Sequence, residues 1–240
     1  MDMNYTSDFG LALAILSLVG LGVSGLGYRW GWWSYKTGIS IVRYSGFTSI
    51  VAVVVCLSGV ALWKFKVFAE GMAPGLLGLI FAGSALALTW KWKQNLDSVP
   101  YIHDITTDTE NPPAFIAILP LRASAENSAE YEGPEIARQQ LAAYPDLKPI
   151  VVNEPPHAAF TRAVQAAQDM GWEIVDTNPQ SLRIEATDTT LWFGFQDDVV
   201  VRVTPAMTGS RIDVRSVSRV GKSDVGTNAR RIEAYLSRLV

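Results

Sequence analysis

The residues best placed to do chemistry lie near the C-terminus. Arg219, Gly221, Lys222, Ser223, Asp224, Gly226 and Asn228 fall within one stretch, RVGKSDVGTN. Two alternating strands lead into it, a helix follows, and Asp197 stands in the preceding strand. Cations, small residues and a helix start together suit an anion: free N–H groups and the positive end of the helix dipole would face it. On this reading Lys222 and Arg219 supply charge, Ser223 and the following N–H groups supply donors, and Asn228 and Asp197 shape the rim. The same letters also suit a plain strand-to-helix connection, with Ser223 or Asp224 capping the helix and Gly221 and Gly226 permitting the turn.

Other chemistries find less support. A phosphate-binding P-loop needs a glycine five residues before its Gly-Lys pair, and Ser216 stands there. Asp197 and Asp198 are neighbours on an expected strand, so they point to opposite faces and do not form a general acid and base. One is expected to pair with Arg211 or Arg215 of the adjoining strand and the other to sit in a turn. His103, Asp104, Asp108 and Glu110 form a cluster of metal-binding types without a recognised ligand spacing, and turn chemistry explains them equally. His157 is expected to face solvent. The single cysteine, Cys56, lies in an apolar run, which leaves no disulfide framework and no catalytic thiol in the second half. No cofactor fingerprint was found.

The elements that must position the loop divide the 240 residues in two. Up to residue 97 there are 7 basic and 4 acidic residues; from 98 onward there are 13 and 19. A net charge of −6 on the second part argues against nucleic acid as a partner. The first part holds three uncharged runs, 9–27, 45–63 and 72–90, each about 28 Å long as a helix, close to the hydrocarbon thickness of a bilayer. Trp30, Trp32, Trp33, Trp63, Trp90 and Trp92 stand at their ends beside Arg29, Lys64, Lys66, Lys91 and Lys93, as expected at headgroup level. A signal peptide would begin with Lys or Arg, whereas this chain begins with Asp2 and Asp8. Gly20, Ser24 and Gly27, then Gly75, Gly78, Ala82 and Ala85, recur at helical spacing and predict close helix packing. No Asp, Glu, Lys, Arg or His lies inside a span, which favours an anchor or docking surface over an ion or proton pathway.

Residues 98–240 are expected to form an α+β domain. The segment 96–113 reads as a linker, 114–121 as a short apolar piece, 124–133 as an exposed loop, and 150–152 as a brief strand. Helices are expected over 134–144, 157–170 and 224–239, each with a boundary signal or an apolar stripe. Four strands, 172–176, 181–187, 192–203 and 211–220, should form an antiparallel meander because their connections are short. A phase slip between Val214 and Val217 suggests a bulge. The 157–170 and 224–239 helices should cover one face in a helix-grip-like arrangement, leaving the other face open.

Three blocks, Tyr101 to Phe115 (YIHDITTDTENPPAF), Thr190 to Val203 (TLWFGFQDDVVVRV) and Arg215 to Ile232 (RSVSRVGKSDVGTNARRI), resemble the uncharacterised domain-of-unknown-function family 1499 over residues 101–240. The resemblance implies no assigned activity. Some relatives look like lipoproteins or exported proteins, which implies a domain on the periplasmic side of a bacterial inner membrane. The basic residues imply the opposite: 5 flank the first loop and the third span's end, against 2 in the second loop, which favours the cytoplasm. Because basic residues flank every span, the periplasmic side is preferred and the cytoplasmic side stands as the alternative. Two function classes follow: a membrane-held binding or assembly module contacting an anionic ligand, a lipid headgroup or a membrane-protein partner, and an enzyme acting on an anionic envelope substrate. The first is preferred, because no nucleophile–base pair is evident.

Overall fold

A computed structural model describes residues 5–65 and 71–240. The chain separates into a helical unit, residues 1–97 together with Leu191–Gly194, and a second unit made of 98–190 and 195–240.

The helical unit contains α1 (Tyr5–Arg29), α2 (Tyr35–Lys64) and α3 (Met72–Asp97), each long and apolar enough to cross a membrane. All three outrun their uncharged cores because interfacial Tyr, Trp and Lys continue the helix beyond the hydrocarbon. Ser34 starts α2 by accepting the Thr37 amide. Lys66, counted above among the flanking cations, lies outside the described residues, as does Asp2. Small residues set the packing distance. Ser24, Gly27, Gly75, Gly78, Ala82 and Ala85 are buried. A Cβ added at Gly10 would lie 2.6 Å from Cys56 Sγ, so only glycine admits that approach. The tetrapeptide Leu191–Gly194 uses the same device: buried Phe193 lies where a Cβ on Gly25 or Gly38 would meet its ring at 3.0 or 2.9 Å.

In the second unit the strands are β1 (Asp104–Thr106), β2 (Ile150–Val152), β3 (Glu173–Asn178), β4 (Arg183–Thr189), β5 (Gln196–Ala206) and β6 (Gly209–Ser218), with helices α4 (Pro134–Ala143), α5 (Pro156–Asp169) and α6 (Thr227–Leu236). Every pairing is antiparallel. The order is β1-β6-β5-β4-β3, and β2 pairs with β6 farther along the edge that β1 uses. The sheet therefore has six strands rather than four. β1 emerges from the expected linker because three residues are too few for a period-two signal, and its Thr106 amide and carbonyl meet the side chain of buried Gln140 on α4 at 2.9 and 2.6 Å. That amide does for the edge of β1 what a neighbouring strand would do.

The bulge expected in β6 is absent. Its register with β5 runs unbroken from Asp197↔Ser218 to Ala206↔Gly209, and the irregularity falls instead between Ile174 and Asp176 of β3. The apparent slip arises because β6 is buried on both faces. Ile212 and Val214 join Val199, Val201, Val203, Ile184 and Ala186 beneath α5 and α6, where Trp172 stacks on Tyr235 at 4.8 Å and the Tyr235 hydroxyl donates to the Ala163 carbonyl. Val217 faces the other way, joining Val200 against Phe115 and Ile118.

The second face is thus not open. A strap, residues 107–131, crosses it, and Glu185 of β4 is its main fastening. This fully buried carboxylate accepts the amides of Ile116, Ala117 and Ile118 at 2.9–3.1 Å. Removing it would leave three amides without an acceptor. Arg183 also pairs with this carboxylate at 2.7 Å, so Glu185→Ala should destabilise the domain by roughly 3–5 kcal/mol, as loss of one partner of a buried charged pair does. Thermal unfolding of the full chain followed by near-ultraviolet circular dichroism measures this; an unchanged melting temperature would contradict the role given to Glu185.

Candidate functional site

The turn between β6 and α6 is built by side chains from four directions. Arg219 leaves the end of β6 on the strap face, where its Nε and Nη2 donate to Asp198 at 2.9 and 2.8 Å and its Nη1 donates to the Gln196 side chain at 2.8 Å. Asp198 also accepts from Arg122 at 2.5 Å and from the Thr187 hydroxyl at 2.8 Å. The guanidinium of Arg219 is therefore committed to the protein. Asn127 of the strap donates through Nδ2 to the carbonyls of Ser218 and Gly221 at 3.0 and 2.8 Å, which fixes the start of the turn. Gly221 has φ +86°, a conformation that costs a residue with a Cβ.

Asp224 governs the far side. Its carboxylate accepts the Gly226 amide at 2.8 Å and the Asn228 amide at 2.7 Å, so it takes the donors that the start of α6 offers. Burial pushes its carboxyl up, while those two amides act in the opposite direction. Val225 has φ +53° and Gly226 φ +72°. For a β-branched residue the left-handed region is strained, and the turn holds Val225 there through its own carbonyl, which accepts from Arg230 at 3.1 Å.

Asn228 and Asp197 lie under the turn, on the helical face of the sheet. Asn228 is fully buried; its oxygen accepts from the Ser216 hydroxyl at 2.7 Å and from Arg231, and its Nδ2 donates to the His103 carbonyl and Ser218 Oγ at 2.9 and 3.1 Å. Asp197 accepts from Arg231 at 2.6 Å, and the same guanidinium donates to Asp188 at 2.7 Å. Burial pushes the Asp197 carboxyl up against the pull of Arg231. Both residues hold α6 on the sheet rather than forming a rim.

Asp197 and Asp198 do point to opposite faces, but their partners differ from those expected from the sequence. Asp197 meets Arg231, and Asp198 meets Arg122 and Arg219. Arg211 instead pairs with Asp108 and Asp213, and Arg215 with Asp104. Adjacent-strand charge counting misses this because the register sets Asp198 opposite Val217 and Val200 opposite Arg215. Long guanidinium side chains reach along the face instead of straight across it. Of the expected metal-type cluster, Asp104 lies bidentate on Arg215 at 2.9 and 2.7 Å, and Asp108 accepts from Arg202, Arg211 and two backbone amides. His157 is exposed.

What the turn leaves uncommitted is small and specific. Lys222 is exposed, and among the described residues its ammonium has no ion-pair partner and the amides of Lys222 and Ser223 have no protein acceptor. Ser223 Oγ accepts the Val225 amide at 3.3 Å. The turn thus presents one ammonium beside two peptide donors, a set that can contact an anionic oxygen.

Sequence reasoning missed Arg122, Asp188, Glu185 and Arg231. Arg122 meets Asp198 across 76 residues, Glu185 meets the Ile118 amide across 67, and Arg231 meets Asp188 and Asp197 across 43 and 34, and no local spacing marks such pairs. Arg215 was missed as a strap anchor for the same reason. Its guanidinium lies between the rings of Phe115 and Tyr131, 5.2 and 5.5 Å from their centroids, and donates to the Pro113 and Ala129 carbonyls. Burial, reinforced by nearby Asp104, pushes the Tyr131 phenol up to about 12.

Three helices long and apolar enough to cross a membrane, followed by an antiparallel α+β domain, define the class. The family model described as a protein of unknown function (DUF1499) matches residues 104–239, and the chain belongs to that family. No curated protein matches it.

The geometry separates the supporting residues from the exposed one. Asn228→Ala should lower stability by roughly 2–4 kcal/mol, because it strands Ser216, Arg231 and the His103 carbonyl in a buried site. Lys222→Ala should stay within about 0.5 kcal/mol of the parent. Chemical denaturation of the two variants gives both values, and equal effects would refute the division.

Proposed function

We propose that this chain is a membrane-anchored binding module of a bacterial cell envelope, and that it recognises an anionic group at the Gly221–Val225 turn. The observation that carries this reading is the isolation of Lys222. It is exposed on a turn whose neighbouring side chains Arg219, Asp224 and Asn228 are all tied into the protein. A lone cation would be ordinary on a mobile loop. Here two glycines and Val225 with positive φ, one strap asparagine and one capping aspartate fix the backbone around it, so little ordering is left to be done when a ligand arrives.

In this reading the ammonium of Lys222 and the amides of Lys222 and Ser223 contact the anion. Arg219, Asp224, Asn228 and Asp197 act one step back and hold those donors in place. The anion is a phosphate or carboxylate carried by an envelope molecule, either a lipid headgroup or a membrane-protein partner.

The test uses the full chain in nonionic detergent, titrated with glycerol phosphate as the headgroup fragment and with an acidic peptide as the protein surrogate. Lys222→Glu should weaken binding of the favoured probe by tenfold or more, the loss of about one charge-assisted hydrogen bond. If the parent binds neither probe, or if the variant binds both as the parent does, the reading fails.

The domain lies on the periplasmic side in this proposal, supported by the resemblance to exported proteins and opposed by the distribution of basic residues. Reporter fusions at Val240 decide it. Alkaline phosphatase should be active there and a fluorescent protein dark; the reverse pattern would move the ligand to the cytoplasm.

A further inference from the structure

The helical unit carries a cleft of about 470 Å3 at the end where α1 and α3 finish and α2 begins. Leu18 and Leu21 of α1, Val42 of α2 and Leu88 of α3 line it, and Lys91 and Trp92 stand on its rim. Its size lies within the range of small-molecule sites, and its walls are almost wholly hydrocarbon. Gly22 forms part of one wall, and a Cβ added there would meet nothing within 4 Å.

Both ends of this cleft have a meaning set by the bilayer. Lys91, Trp92 and Lys93 follow directly on the apolar run of α3, so the rim lies at headgroup level and the leucine floor in the hydrocarbon. An occupant must therefore be amphipathic, and the bilayer itself supplies it.

Charge then selects the headgroup. At this end of the three helices the described cations are Arg29, Lys36, Arg43, Lys91 and Lys93, against Asp97. Lys93 pairs with Asp97, Arg29 donates to the Leu191 carbonyl and Arg43 lies over the Tyr44 ring. Lys91, exposed and without an ion-pair partner among the described residues, is the cation at the mouth.

We infer that the cleft holds an acyl chain of one anionic phospholipid, whose phosphate sits at Lys91. A zwitterionic lipid could insert the same chain, but it would bring its own cation to a rim that is already positive, so the site prefers the anionic class. This site is separate from the Lys222 turn and does not rest on it.

Native mass spectrometry of the full chain, released from nanodiscs of phosphatidylcholine and phosphatidylglycerol in equal amounts, tests the inference. One phosphatidylglycerol should be retained in excess over phosphatidylcholine. Lys91→Gln should reduce that excess about fivefold, the effect of one lysine near an anionic surface, while leaving retention of phosphatidylcholine unchanged. Gly22→Leu, which places a side chain in open space and also favours the helix, should reduce retention of both lipids. Lys222→Glu should change neither. The inference is overturned if the parent shows no excess of the anionic lipid, or if Lys91→Gln and Gly22→Leu, each with parental helical content, retain lipid as the parent does.

Discussion

A carboxylate taken out of water without a partner costs several kcal/mol, more than most single contacts return. The strap face of the sheet carries four such groups, Asp104, Glu185, Asp198 and Asp213, all fully or almost fully buried. The rest of the domain can be understood as the means by which each finds donors. Arg215 serves Asp104, Arg122 and Arg219 serve Asp198, Arg202 and Arg211 serve Asp213, and backbone amides serve Glu185. None of these donors suffices without the strap or the neighbouring strands, so segments 107–131 and 183–219 are obligatory partners although they lie far apart in sequence.

The same constraint decides which residues remain for recognition. The helical face repeats the arrangement on a smaller scale, with Arg231 joining Asp188 of β4, Asp197 of β5 and Ser216 of β6. A loop with many polar letters then turns out to be mostly internal wiring. Five of the six residues that suggested a ligand site bond to the protein through their side chains, and only Lys222 is left facing water.

Much of the architecture was legible because its signals are local. Nineteen-residue uncharged runs, proline and glycine at the ends of α5, and alternation in the long strands each need only a short window of sequence. The two three-residue strands were harder: β2 showed a brief apolar run, while β1 sat unseen in a stretch rich in turn residues. The closed second face was hidden for a different reason. Arginine, aspartate and glutamate on a strand ordinarily mean solvent, and nothing near Arg215 or Glu185 shows that residues 113–131 will come to cover them. The phase slip in β6 was the one visible trace, since a strand that is apolar at Val214 and at Val217 must be buried on both sides. On a strand covered on one face only, the same slip would require a bulge. At the turn, the competing uses of Asp224 could be named from sequence, but choosing between them required the 2.8 and 2.7 Å contacts to the amides of Gly226 and Asn228.

Arg231 also gives the domain a direction in time. During synthesis Asp188 and Asp197 emerge well before the guanidinium that neutralises them, and Asp104 precedes Arg215 by 111 residues. Until α6 is in place, Asp188 and Asp197 lack the guanidinium that pairs with both of them in the folded domain. Completion of the domain is thereby deferred to the arrival of its last helix, when the three spans have already been made and are available to the membrane. Contacts of such long sequence separation also make the final step slow relative to helix formation. The carboxylates of the helical face thus acquire their full set of donors only once α6 is in place.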